Sequence, residues 1–358
     1  DELMEIIPAP DFPTAGIIYG LQGVREGYRT GRGRVVMRAK CHFEDIDKGS
    51  RTAIVVDEIP YQVNKKNLLE RIAELVREKK IEGVADMPLG IDVCEPGFLF
   101  ALEKEGLVVR DCQQTMLQAR EVKSHDEITL LNTASAMVDG VYQDITEALK
   151  PGVKESQVVA LAAKRLYEMG SDCVEAVNAI AGERCSPHPH NFTDRLIRPG
   201  DQAYFDIIHS FIGYRTCYYR TFSVGKSTPA QRDAYKKARQ WMDDAISMLK
   251  PGISTDKVAK MFPKCTEIGF ETEMAAFGLN FCHGLGLGLH ERPLISRLNS
   301  FIEPYELKAG MVFAVETFCP AKDGVSAARI EEEGVLTPEG AKIISLYPAQ
   351  ELPVTNAY

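Results

Sequence analysis

The sequence predicts an α+β protein whose larger, C-terminal part is built from two copies of one supersecondary unit. Two observations carry this. Asp144-Ile-Thr-Glu-Ala-Leu-Lys-Pro-Gly152 returns one hundred positions later as Asp244-Ala-Ile-Ser-Met-Leu-Lys-Pro-Gly252, and a second helical stretch follows each copy. Strand-like runs come after each helical pair, so each unit reads helix, Pro-Gly turn, helix, strands. Pro and Gly also end helices on their own account, but the shared residues ahead of them favour duplication. Two such copies predict a pseudo-twofold domain whose halves enclose a site between them.

The elements follow in chain order. The first 86 residues alternate short β-rich runs, Gly33 to Arg38 and Thr52 to Glu58, with turn residues. One amphipathic helix then runs from about Lys65 to Lys79, its stripe formed by Leu68, Leu69, Ile72, Leu75 and Val76, with Gly83 ending the pattern. Up to Asp86 there are 14 Lys and Arg against 15 Asp and Glu; the remainder carries 28 against 36, so the acidic excess lies C-terminal. In the first duplicated unit, Ala203 to His209 and Tyr214 to Val224 form a hairpin across Gly213. Asp206 stands within that otherwise apolar strand, where a carboxylate costs several kcal/mol unless a metal or a partner neutralises it. The second unit contributes His283-Gly-Leu-Gly-Leu-Gly-Leu-His290-Glu291, Glu316 inside the apolar run Met311 to Phe318, and Glu331-Glu332-Glu333 after Arg329-Ile330. Asp206, His283, Glu316 and Glu331 together suggest a metal cage, and carboxylates with an imidazole suit Mn, Fe, Co or Zn.

Composition bounds the remaining classes. The 358 residues and 39.7 kDa leave room for two or three domains. No apolar run approaches the roughly 18 to 20 residues that span a bilayer, so no membrane partner is expected. A net charge of -9 and a pI near 5.4 give no general attraction to polyanions. The nine cysteines are scattered, with no CxxC pair, which suits a reducing cytoplasm. The acidic N-terminus lacks a secretory signal and starts at Asp1, as expected of a processed chain or a piece of a longer reading frame. The Gly-Leu-Gly-Leu-Gly run lacks the continuation of a dinucleotide loop. Cys217 is not expected to be a protease nucleophile, and Cys282 is expected to be a small core residue.

From about Gly90 onward the chain resembles the pita-bread family that contains methionine aminopeptidase, Xaa-Pro peptidases, creatinase and dimethylsulfoniopropionate lyase. The matching stretches are Ala119-Arg-Glu-Val-Lys-Ser124 with Glu127, the segment from His190 to Asp206, GYRTCYYRTF from Gly213, HGLGLGLHERP from His283, GMVFAVE ending at Glu316, and RIEEEGVLT from Arg329. The resemblance implies a two-metal site that activates water and clamps a substrate carbonyl. Asp206, His283, Glu316 and Glu331 fall on four of its five ligand positions, and His190 and His290 fall on the two histidines that flank the scissile bond. The fifth position departs: family peptidases place a second aspartate eleven residues after the first, and here that residue is Cys217. Cysteine poorly supports a bridging site for Mn or Fe, although Zn accepts it. The implied cofactor is therefore a divalent metal, as one ion or two, or an empty cage. Glu316 would shuttle a proton. The implied activity is a metal-dependent hydrolase acting on a short peptide or small amide, with creatinase-like C-N hydrolysis or lyase chemistry as the metal-poor alternative; relatives that keep the N-terminal domain are often homodimers.

Residues 1–86 carry a second resemblance. PDFPTAGIIYG, GYRTGRGRVVMRAK and IVVDEIPYQVNKKNLLERIAELVREKKIEGVAD are similar to the A subunit of bacterial type II topoisomerases, gyrase or topoisomerase IV, in the tower region. In that family the DNA-cleaving tyrosine lies upstream, so Tyr19, Tyr28 and Tyr61 do not take its role. Arg29, Arg32, Arg34 and Arg38 could reach phosphates, but a solvated hairpin is the simpler reading. The expected organisation is a topoisomerase-like fragment over 1–86, a remnant of an N-terminal α/β domain with its linker over 87–124, and the catalytic domain over 125–358. DNA is a partner only if the first fragment functions. The join between unrelated families suggests a chimeric reading frame.

Overall fold

The computed structural model describes every residue except 1–3, 5, 13–14, 47–50, 64–67, 69–70, 73, 76–87, 278–279 and 358. It divides into two compact units, Asp1–Gln114 and Thr115–Tyr358.

In the first unit, β1 (Ile17–Ile18) pairs antiparallel with β2 (Met37–Arg38), and α1 (Gln22–Thr30) lies between them in sequence. Sequence patterning did not anticipate α1, because Gly23 and Gly27 lower its helix propensity. The glycines are there for packing: a Cβ on Gly23 would stand 1.9 Å from the Arg34 carbonyl oxygen. That close approach uses Gly33 and Arg34 as irregular backbone, so only Met37–Arg38 of the expected 33–38 run is strand. β3 (Lys40–Ile46) and β4 (Arg51–Glu58) form an antiparallel hairpin, as the Thr52–Glu58 run suggested. Leu68, Ile72 and Leu75 of the expected helix are helical, while Leu69, Val76 and Gly83 lie outside the described residues. β5 (Leu89–Ile91), α2 (Pro96–Lys104) and β6 (Val109–Asp111) make a small parallel βαβ unit. Helix α3 (Gln113–Arg120) contains the division between the units.

The second unit opens with α4 (His125–Ala148). Its start is a capping box: the Ser124 hydroxyl accepts from the Glu127 amide at 3.3 Å, and the Ser124 amide donates to the Glu127 carboxylate at 2.7 Å. Leu131, Ala134, Val138, Val141, Tyr142 and Ile145 form its buried stripe, each large aliphatic contributing about 1.5–3 kcal/mol relative to exposure. α5 (Glu155–Glu168), β7 (Cys173–Ala181), β8 (Gln202–Phe211) and β9 (Tyr214–Val224) complete the first copy. The β8–β9 hairpin turns at Ile212 and Gly213, both at positive φ.

The second copy repeats this plan with α6 (Pro229–Met248), the short α7 (Thr255–Ala259), α8 (Glu273–Phe277), β10 (Cys282–Gly284), β11 (Glu291–Ile295), α9 (Arg297–Ser300), β12 (Val312–Pro320), β13 (Ala327–Thr337) and β14 (Gly340–Ile343). β15 (Val354–Thr355) returns to pair with β9. The strands form two sheets, ordered β15-β9-β8-β7 and β11-β10-β12-β13-β14. The duplication extends to individual backbone bonds. The Gly152 amide donates to the Ile197 carbonyl and the Gly252 amide to the Leu307 carbonyl, each at 2.8 Å. Ile197 and Leu307 bond back to Val153 and Ile253 at 2.8 and 2.9 Å. One apolar core lies under α4 and α5, another under α6. Cys282 is buried in the second, as expected.

Candidate metal centre

Strand register brings the singled-out residues together. On the β8–β9 ladder Asp206 pairs with Tyr219 and Ile208 with Cys217, so Asp206 and Cys217 are diagonal neighbours. On the β12–β13 ladder Glu316 faces Glu331 directly, and His283 on β10 pairs with Ala314 on β12. The two sheets then meet. The Cys217 thiol donates to Asp206 Oδ1 at 3.3 Å and lies 3.8 Å from both carboxylate oxygens of Glu331. His283 Nε2 stands 3.3 Å from Glu331 Oε1. Asp206, Cys217, His283, Glu316 and Glu331 are all buried.

His283 Nδ1 donates to the Gly284 carbonyl at 3.2 Å, which leaves Nε2 as the nitrogen aimed into the cluster. Among the described residues, one group of potential metal donors has its ligand atoms all within 4.8 Å of one another: Cys217, His283 and Glu331. A thiol, an imidazole and a carboxylate at that spacing fit a divalent ion of the zinc type. Asp206 adjoins this trio through Cys217. Glu316 adjoins it from the facing strand, but its Oε2 accepts from Arg329 Nη2 at 2.7 Å.

Burial is the dominant electrostatic influence throughout. It pushes the Asp206 carboxyl up, against the Arg329 charge and hydrogen bonds from Cys217 and Asn178. It pushes Glu331 up too, against the hydrogen bond from His283 and in concert with the charges of Glu316 and Asp206. Glu316 goes the other way: burial is outweighed by Arg329 and His283, and the carboxyl is held low. Burial opposes charge on His283, yet its contact with Glu331 and the Glu316 charge lift it to about 9. Glu316 and Glu331, facing each other across one ladder, thus have environments that pull their proton affinities apart.

The two remaining histidines stand at the margin. The His290 ring lies 4.5 Å from that of His283, edge-on, and burial followed by the His283 charge lowers its pKa to about 4. The pKa of His190 is likewise lowered, by burial and then by Arg329. Both are neutral at pH 7.

Several functional neighbours were invisible to sequence reasoning. Arg329 binds Glu316, stacks over Tyr219 at 4.2 Å and reaches His188 Nδ1 at 3.2 Å. His188 is itself oriented by the Ala276 carbonyl, 2.8 Å from Nε2. The usable signal for Arg329 was strand alternation, since 329, 331 and 333 share one face of β13. Asn178, paired with Asp206 across β7–β8, donates to Asp206 Oδ2 at 2.9 Å. Glu333 accepts from the Cys217 amide at 2.7 Å and from the Thr216 hydroxyl, fixing β9 beneath the thiol. Glu332 faces away and pairs with Arg220 and Arg239, each at 2.7 Å. The loop from His283 to His290 is held by Glu291, which accepts from Lys123 at 3.0 Å and from the Gly288 amide at 2.7 Å. A Cβ on Gly286 would meet Glu291 Oε2 at 2.4 Å, so the glycine is needed for that clamp.

This arrangement of duplicated halves around buried carboxylates and a histidine is the pita-bread architecture, a fold of metal-dependent peptidases. The model of metallopeptidase family M24 matches residues 129–338, more than half of the chain, and the chain belongs to that family. Dipeptidase PepE from Mycobacterium ulcerans is similar at 27% identity and a TM-score of 0.64, over 74% of this chain and 70% of that one. A Xaa-Pro dipeptidase from Bacillus anthracis shares the fold at 20% identity and a TM-score of 0.69, over 92% of each chain. A prolidase from Pyrococcus furiosus does so at 20% identity and 0.67, over 96% and 98%. The family model for the A subunit of DNA gyrase/topoisomerase IV matches residues 1–150. The DNA gyrase A subunit from Neisseria gonorrhoeae is 66% identical over 88 residues, and that from Escherichia coli strain K12 is 59% identical over 83. These alignments cover 24% and 23% of this chain and 10% of each curated relative, so the chain spans about a tenth of their length.

Proposed function

We propose that the chain is a divalent-metal-dependent hydrolase of the Xaa-Pro peptidase type, acting on a short peptide. The observation that carries this reading is the convergence of Asp206 and Cys217 from the first copy with His283 and Glu331 from the second. Cys217, His283 and Glu331 would hold the metal, with Asp206 and Glu316 beside them. The ion supplies Lewis acidity toward water and the scissile carbonyl. Glu316, kept ionised by Arg329, accepts a proton from the attacking water and returns it to the leaving amine. His190 and His290, neutral at the margin, hydrogen-bond the substrate on either side of the reacting bond.

The Arg329–Glu316 pair and Cys217 in place of an aspartate favour one alternative, a creatinase-like or lyase-like enzyme working with a reduced metal site. Within the chain, we assign catalysis to 125–358, a remnant α/β domain and linker to 87–124, and a non-catalytic gyrase-like fragment to 1–86. All nine cysteines are unpaired, which suits a reducing cytoplasm, and among the described residues no helix is long and apolar enough to cross a membrane.

The test is a panel of Xaa-Pro and other dipeptides beside creatine and sulfonium betaines, each with added Mn or Zn and after chelation. Dipeptide hydrolysis that is lost on chelation and restored by metal is expected. Turnover of creatine or a betaine that survives chelation would overturn the peptidase reading in favour of the alternative.

A further inference from the structure

We propose that Cys217, His283 and Glu331 form a single-ion, thiolate-ligated site that selects Zn(II) over Mn(II), with Glu316 held outside the coordination sphere by Arg329. This deepens the hydrolase reading above and rests on it for its place in catalysis, but not for the binding itself.

Three observations converge. First, the donor atoms of Cys217, His283 and Glu331 cluster within 4.8 Å, while neither Asp206 nor Glu316 joins that common cluster. Second, the chemistry of the set is mixed soft and borderline. A thiolate favours Zn(II) or Co(II), whereas Mn(II) prefers sites made only of oxygen and nitrogen. Three protein donors also match the number that zinc enzymes use when one position is kept for water or substrate. Third, the groups that would hold a second ion are engaged elsewhere. Glu316 accepts from a buried guanidinium, and Asp206 accepts from Asn178 at 2.9 Å as well as from Cys217. A second cation would have to approach Arg329, which is buried and in contact with Glu316, Tyr219 and His188. Like charge at that distance, away from water, disfavours it.

The surroundings also fit a ligating sulfur. The Cys217 amide is tied to Glu333 and its side chain is aimed between Asp206 and Glu331, so the sulfur is placed before any ion arrives. When the ion enters, the S–H proton leaves for solvent and the sulfur binds as thiolate.

The experiment uses the full chain stripped of metal and titrated with Co(II), Zn(II) and Mn(II) separately. The Co(II) form is expected to bind a single ion and to show a near-ultraviolet thiolate-to-cobalt charge-transfer band, with Zn(II) binding at least about tenfold tighter than Mn(II). Cys217→Ser is expected to lose the band and at least about tenfold in Zn(II) affinity. Cys217→Asp is expected to lose the band and gain Mn(II) affinity while still binding a single ion, because Arg329 stays beside Glu316. Absence of the band in the unmodified Co(II) protein, or binding of a pair of Mn(II) ions by it, overturns the proposal without relying on any variant. Dipeptide hydrolysis is measured on the same loaded samples. The band without hydrolysis would sink the peptidase reading and leave the site standing; hydrolysis without the band would sink the site and leave the peptidase reading.

Discussion

At the scale of single residues, Arg329 ties together several side chains of the candidate centre. A buried guanidinium is costly unless it is paired, and here it is shared between the Glu316 carboxylate, the Tyr219 ring and His188 Nδ1. Burial, then the Arg329 charge, lowers the His188 pKa to about 4 from an ordinary 6.5. Such a histidine takes a proton more readily unfolded than folded. Its neutral form therefore leaves stability intact above about pH 6.5, and that stability drains away as pH falls from there to about 4. Buried carboxylates such as Glu331 and Glu333, pushed upward by burial, act in the opposite sense, so the effect is read as a difference. In urea unfolding of the metal-free chain at pH 7 and pH 4.5, His188→Gln is expected to reduce the acid-induced loss by on the order of 2 kcal/mol. An identical pH dependence in both proteins would mean that His188 titrates normally.

At the scale of elements, the duplication sets the geometry. Each copy ends its long helix with Leu-Lys-Pro-Gly, and each glycine sits at positive φ, 92° for Gly152 and 83° for Gly252. No atom lies within 4 Å of where a Cβ would be built at either position, so the cost of adding one is backbone strain alone. Gly152→Ala and Gly252→Ala are each expected to lose about 1–2 kcal/mol, nearly the same in both, by chemical denaturation. Unequal losses would show that the two turns are not equivalent. The strands carry the other half of the argument. On β13 alternation sends Glu331 and Glu333 toward the centre and Glu332 away to Arg220 and Arg239. Three consecutive glutamates thus have two unrelated jobs. Replacing Glu332 with Ala would leave the buried Arg220 without its carboxylate partner and the half-buried Arg239 with Asp243 alone, and is expected to cost about 3–5 kcal/mol in thermal or chemical unfolding, with metal stoichiometry unchanged.

At the scale of the whole molecule, an M24 metallopeptidase domain and a gyrase-like stretch occur in one chain. The gyrase-like part contributes a nearly balanced set of charges, and the complete chain carries -9. Affinity for DNA depends on phosphate neutralisation and falls steeply with salt. The full chain is expected not to retard duplex DNA in a gel at about 150 mM salt; a shift at micromolar protein that weakens as salt rises would return residues 1–86 to a DNA-binding role.

The sequence by itself determined the duplicated unit, the β8–β9 hairpin, and the candidate residues in apolar strands, because each is written in local periodicity or in a polar side chain where burial demands a partner. It did not reveal α1, whose glycines serve a close backbone approach rather than a loop. Nor could it show that Cys217 would join His283 and Glu331 while Glu316 is drawn to Arg329, or that His188 rather than His190 would touch that arginine. Those outcomes depend on which faces of two sheets meet and on distances between residues far apart in the chain. Period and propensity specify a face; only packing specifies what that face confronts.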